Sequence, residues 1–274
     1  MHTLVTFDGA GCVGKTTLLT AFAERLVEIQ RPFIHLGTTE PFVKFGSDQL
    51  QNRLKYLENP QQYEAWRHLY DRLQGHGQHV AQKRTELFRE NSSEMDKMKI
   101  LVPLHHKMML LLNEVLRSPL LPDDTVVLLD RSFLTFYAYN FTWCVDPNSN
   151  VGYETINFAS QSERYLSGMY ETLLGSGVQT VSCILYDEED LSEKRQTLLR
   201  AKDEKHYDKN FELQKHCGRF FNDFAKWVQT FKVNNESLFP KVGNVCLPIA
   251  YIAGEQSHNR TNRYLDSLHR VLAN

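Results

Sequence analysis

Near the start of the chain, in LVTFDGAGCVGKTTLL, Gly9, Gly14, Lys15 and Thr16 follow the spacing G-x-x-x-x-G-K-T. Glycines so placed let main-chain N–H groups turn inward around an anion. A lysine next to the second glycine reaches the outer phosphates, and the threonine offers a hydroxyl to Mg²⁺. The chemistry implied is the gripping of a nucleoside triphosphate, with Gly9, Ala10, Gly11, Cys12, Val13, Gly14, Lys15, Thr16 and Thr17 as the cradle.

Other residues could act on what that cradle holds. Asp130 and Arg131 end the apolar run TVVLLD. A carboxylate there can organise Mg²⁺ and its waters or assist deprotonation of a hydroxyl, and a planar guanidinium suits a phosphate. Glu40 precedes a proline, which keeps its backbone extended; it is a candidate acceptor ligand or base. Phe42 is a candidate stacking partner for a base, and Lys107, at the border of an apolar stripe, a candidate cation for the acceptor. In the charged segment 187–209, Arg195, Arg200, Lys202 and Lys205 lie among acids and read first as a self-paired, solvated surface. Phosphoryl transfer needs cations that close on the moving group, and Arg200 is the first choice for that task.

These residues need a frame. Leu4 to Phe7 reads as a strand, and Leu18, Leu19, Phe22 and Leu26 recur at helical spacing as far as Glu28. A strand before the glycine loop and a helix after it is the context that marks a P-loop. PFIHLG, TVVLLD, VQTVSCILY and Ile249 to Ile252 read as further strands. Helices are expected over Asp48–Leu57, Ile100–Leu116, Phe133–Trp143, Glu154–Leu174, Phe211–Phe231 and at the C-terminal end. The helix at 100–116 is expected to lie on the sheet. Residues 60–99 read as a long polar insertion, helical in part, with Gly75 and Gly77 marking a break. Strand alternating with helix predicts an α/β fold: a single three-layer domain over 1–274, with a central parallel five-stranded sheet, helices on both faces and a lid at about 187–209.

Composition sets the bounds. A formal net charge of −2 over 274 residues gives no global field for nucleic acid or an anionic membrane. The five cysteines form no C-x-x-C pair, and His68, His76 and His79 lack a metal-ligand spacing, so neither a disulfide framework nor a zinc site is expected. The first strand begins at about the third residue and the longest apolar run is of the order of MMLLL, so the expectation is a cytoplasmic protein without membrane attachment.

The motifs together resemble the thymidylate kinase and deoxynucleoside kinase branch of the P-loop kinases. TFDGAGCVGKTT is similar to the thymidylate kinase opening. TTEP, at Thr38 to Pro41, falls where both families place a Glu-Pro element facing the acceptor nucleoside. LLDRSFLTFYAY resembles the Asp-Arg element of thymidylate kinases followed by the serine and aromatic run of deoxynucleoside kinases. ILYDEEDLSEKRQTLLRAKDEKHYDKN has the family order of strand, acidic connection, helix and basic lid, and YIAGEQSHNRTNRYLDSLHRVL resembles the closing strand, adenine loop and terminal helix.

The resemblance implies an ATP- and Mg²⁺-dependent kinase that passes a γ-phosphoryl group to a thymidylate-like monophosphate. Lys15, Asp130, Arg131 and Arg200 would be catalytic, Thr16 and Asp130 would serve the metal, and Glu40, Phe42, Lys107 and Arg131 the acceptor. The partner would be a small nucleotide, with a homodimer compatible. Gly11 stands where thymidylate kinases usually carry an acid, and His105, His106 and Lys107 where they carry an arginine. A second reading is therefore a hydroxyl acceptor, on a deoxynucleoside or a hydroxymethylated pyrimidine, free or in DNA. A third is a P-loop ATPase or nucleotide switch.

Overall fold

The computed structural model describes residues 2–37, 43–45, 60–89, 94–119, 121, 123–132, 134–135, 138, 178–189, 192–202, 204–231, 245–251, 262 and 265–266. Its strands are β1 (Thr3–Gly9), β2 (Phe33–Gly37), β3 (Val43–Phe45), β4 (Val126–Asp130), β5 (Gln179–Asp187) and β6 (Val245–Tyr251). Its helices are α1 (Lys15–Glu28), α2 (Pro60–Arg89), α3 (Glu94–Leu116), α4 (Glu193–Lys202) and α5 (Glu204–Phe231). The sequence expectations at Asp48–Leu57 and Glu154–Leu174 and for the adenine loop lie outside the described residues, as do Glu40 and Phe42.

One sheet runs β3-β2-β4-β1-β5-β6. The strands from β2 through β6 in that order are parallel, while β3 pairs antiparallel with β2. The expected sheet of five parallel strands is thus corrected to six by an antiparallel edge. Val43–Phe45 is too short to show a period of two, which is why the sequence did not announce it.

The central strands are apolar throughout because both of their faces are covered. Leu18, Leu19, Phe22 and Leu26 of α1 join Val5, Phe7, Val126, Leu128 and Val181 in one cluster. The alternate residues Leu4, Val127, Leu129 and Ile184 are buried as well. Helix α5 packs on β5, β6 and β1, and none of its described side chains joins the α1 cluster, as expected of a helix on the second face. β6 starts at Val245, four residues before the expected position, and carries Pro248. A proline is tolerated there because, among the described strands, β6 lies at the sheet edge and pairs with β5 alone.

The insertion is more regular than its composition suggests. Helix α2 runs unbroken for 30 residues through Gly75 and Gly77, and α3 begins at Glu94 and continues through Pro103. The two helices pack together, with an exposed Arg72–Glu114 ion pair at 3.2 Å and His76 Nε2 bonded to the Leu104 carbonyl at 2.7 Å. The expected break is therefore absent. Among the described elements, α3 packs most extensively on α2 rather than on the sheet. A Cβ added at Gly75 would meet no atom within 4 Å. Gly75→Ala is accordingly expected to stabilise the fold by about 0.5–1 kcal/mol, read as a raised thermal midpoint, because alanine loses less backbone freedom in a helix.

Candidate active site at the glycine loop

β1 delivers the loop at its C-terminal end, and α1 starts at once after it. Gly14 caps that helix with φ 98°, a left-handed conformation that glycine adopts without strain. No acid occupies the first turn of α1, so the potential of its free N–H groups is left for an outside anion. Thr16 and Thr17 are exposed at this end.

Lys15 is buried, and its ammonium donates to the carbonyls of Gly9 at 2.9 Å and Ala10 at 2.6 Å. Burial and then the nearby Arg131 push its pKa down to about 7, against the opposing pull of Asp130 and Asp8; Arg195 adds to the depression. The structure thus gathers Lys15, Asp130, Arg131, Asp8 and Arg195 into one electrostatic group.

The register explains how Asp130 and Arg131 arrive there. Asp130 pairs with Phe7 on one side and Gly37 on the other, at the C-terminal rim of three adjacent parallel strands. That rim is where open α/β sheets bind ligands. Arg131 follows with φ 73°, a left-handed conformation that costs a bulky residue on the order of 1–3 kcal/mol. Its amide donates to the Phe7 carbonyl at 3.1 Å.

Asp8 holds the rest of that turn. Its Oδ1 accepts from the amides of Ser132 at 2.8 Å and Thr135 at 3.2 Å and from the Thr135 hydroxyl at 2.8 Å. Its Oδ2 accepts from the hydroxyls of Ser132 at 2.7 Å and Thr6 at 3.1 Å. Burial pushes the Asp8 carboxyl up, against the downward pull of these donors. The sequence reading ended the first strand at Phe7 and gave Asp8 no role. The available signal was a charged residue inside an otherwise apolar run, immediately before the loop.

The basic segment divides. Arg195 is fully buried: its Nε donates to the Gly11 carbonyl at 3.1 Å and its Nη1 lies 3.7 Å from Asp187 Oδ2. The solvated reading of Arg195 is therefore corrected. Arg200 is exposed on α4 and Lys107 is exposed on α3. Neither is among the largest influences on Lys15. Lys107 lies near enough to His76 to add to the burial that lowers that histidine's pKa. The segment read as a lid is formed by α4 and the start of α5.

No protein-family model matches the chain, and no curated protein matches it. Among solved structures the chain is similar to a thymidylate kinase from Ehrlichia chaffeensis, with 12% identity, 98% of each chain covered and a TM-score of 0.46. No helix among the described residues is long and apolar enough to cross a membrane.

Proposed function

We propose that this chain is an ATP-dependent kinase that transfers the γ-phosphoryl group to a deoxynucleoside monophosphate of the thymidylate type. One observation carries the reading: a buried ammonium, Lys15, held inside a glycine loop at a helix start, beside an Asp-Arg pair on the ligand rim of a parallel sheet. In this reading the loop amides and Lys15 grip the donor, and Arg131 orients the acceptor phosphate. Arg200 comes from the lid to offset charge developing on the transferred group, with Lys107, Glu40 and Phe42 on the acceptor side. Closure of the lid would exclude water and suppress hydrolysis.

The donor set suits Mg²⁺. Thr16 offers a hydroxyl and Asp130 a carboxylate, and among the described residues no group of three His, Cys, Asp or Glu forms a cage. Mg²⁺ is commonly held by one or two protein oxygens together with phosphates and water. Once bound there it would neutralise charge on the phosphate oxygens.

A second reading, transfer to a hydroxyl, draws on Asp130 as a carboxylate at the same rim that could take the proton. Labelled ATP offered with dTMP, thymidine or hydroxymethylated DNA separates the two. Label moving to dTMP alone is the expected result. Transfer to thymidine or DNA selects the hydroxyl reading, and hydrolysis indifferent to every acceptor sinks both.

A further inference from the structure

We infer that Arg195 is a positioning residue for the donor cradle: it locks the Gly11–Cys12 peptide so that the Cys12 amide faces the triphosphate. The inference rests on the reading of the glycine loop as that cradle.

The argument begins with the peptide plane. The described chain contains no cis peptide, so the Gly11 carbonyl and the Cys12 N–H point in opposite directions. Arg195 Nε bonds the Gly11 carbonyl at 3.1 Å from α4, outside the loop, which turns the Cys12 N–H the other way. Cys12 needs such support. Its φ of 56° is left-handed, and a non-glycine residue persists there only when its surroundings hold it.

Arg195 is itself fixed. Asp187, at the C-terminal end of β5, lies 3.7 Å from its Nη1 and also accepts from the Ser192 hydroxyl. The Arg195 amide in turn donates to Ser192 Oγ at 3.4 Å, tying the start of α4 to the end of β5.

Two other groups close on the same spot. A Cβ at Gly11 would come within 2.7 Å of Gln214 Oε1 on α5 and 3.1 Å of Leu199 Cδ2 on α4. The base of the expected lid and the following helix thus seat directly on the glycine loop, and a side chain at Gly11 would have to displace the tips of Gln214 and Leu199. A guanidinium that is always charged, planar and aimed by a carboxylate is suited to hold one carbonyl with little freedom to lose.

Arg195→Met and Arg195→Lys test this in the whole chain. In nucleotide-free protein, ¹⁵N order parameters at Gly11 and Cys12 are expected to fall in Arg195→Met. Calorimetric affinity for ATP with Mg²⁺ is expected to weaken about tenfold, with kcat at saturating ATP within about threefold and partial recovery in Arg195→Lys, as for loss of one charge-assisted hydrogen bond that preorganises a site. Unchanged order parameters with ATP affinity within twofold of wild type would overturn the inference. So would a loss confined to kcat, which would mean that Arg195 acts on the transferred group itself. If Arg195→Met does not fold, Asp187→Asn keeps the guanidinium and weakens only its aim, with the same readouts and about a threefold effect on affinity expected. Should wild type itself take up no ATP, the kinase reading fails, while the order parameters still decide whether Arg195 holds the loop.

Discussion

Lys15→Met is expected to lower phosphoryl transfer by at least about 10³-fold while making the nucleotide-free protein more stable at neutral pH. On the proposed reading Lys15 is the cation that meets the outer phosphates, and electrostatic stabilisation commonly contributes more than any other effect to such transfers. The gain follows from burial. With a pKa depressed from 10.5 to about 7, Lys15 carries a penalty of about 5 kcal/mol wherever it must be charged in the fold, at about 1.4 kcal/mol per unit. The sign is fixed by proton counting. Between pH 7 and 10.5 the unfolded chain holds the proton and the folded chain does not, so stability rises with pH through that window and the penalty is complete below it. Loss of the bonds to the Gly9 and Ala10 carbonyls offsets part of the gain. Urea unfolding of both proteins at pH 6 and pH 10 measures it. The stability advantage of the methionine protein should shrink markedly at the higher pH, and an advantage independent of pH would show that Lys15 is not held in the depressed state.

The second large effect is expected at Asp8, and it depends on which replacement is made. Asp8→Ala leaves the buried amides of Ser132 and Thr135 without their acceptor and is expected to cost about 3–5 kcal/mol, because unsatisfied buried donors cost roughly 1–3 kcal/mol each. It also releases the turn that places Arg131, so on the proposed reading, in which Arg131 orients the acceptor, transfer should fall by about 10²-fold even in molecules that remain folded, as misplacement of such a group can do. Asp8→Asn is expected to be far milder, within about 1 kcal/mol of wild type. The two amides and the Thr135 hydroxyl share Oδ1, whereas the partners of Oδ2 are the hydroxyls of Ser132 and Thr6, which can rotate to accept from an amide group. The neutral amide also escapes the burial that raises the Asp8 carboxyl's pKa. That raised pKa opposes folding while the group is ionised and relaxes as pH falls, so wild type should gain stability relative to Asp8→Asn on acidification. Chemical denaturation of the three proteins, with transfer rates alongside, checks the order. Equal damage from alanine and asparagine would mean that the negative charge, not the acceptor geometry, is what the turn requires.

Much of this frame was legible in the chain. Continuous apolar runs marked β1, β4 and β5 because a parallel strand covered on both faces has no polar side to display. The glycine spacing marked the loop because its backbone demands are local. Reading failed where the deciding contacts are distant or the local cues weak. Nothing near Arg195 in sequence tells it from Arg200, since its partner Gly11 lies 184 positions away. Asp8 likewise meets Ser132 across 124 positions. In α2, glycine and many polar residues suggested a break, yet packing on α3 overrides a propensity cost of about 1 kcal/mol per glycine.

The central place of β1 has a consequence for biosynthesis. Its neighbours β4 and β5 are encoded more than a hundred residues downstream, and the guanidinium that holds Gly11 later still. Such remote pairing is slow to form and leaves apolar segments open to association in the meantime. β1 and its loop are therefore synthesised well before the elements that complete their shape, and a nascent chain truncated before Arg195 lacks the guanidinium that holds the Gly11 carbonyl.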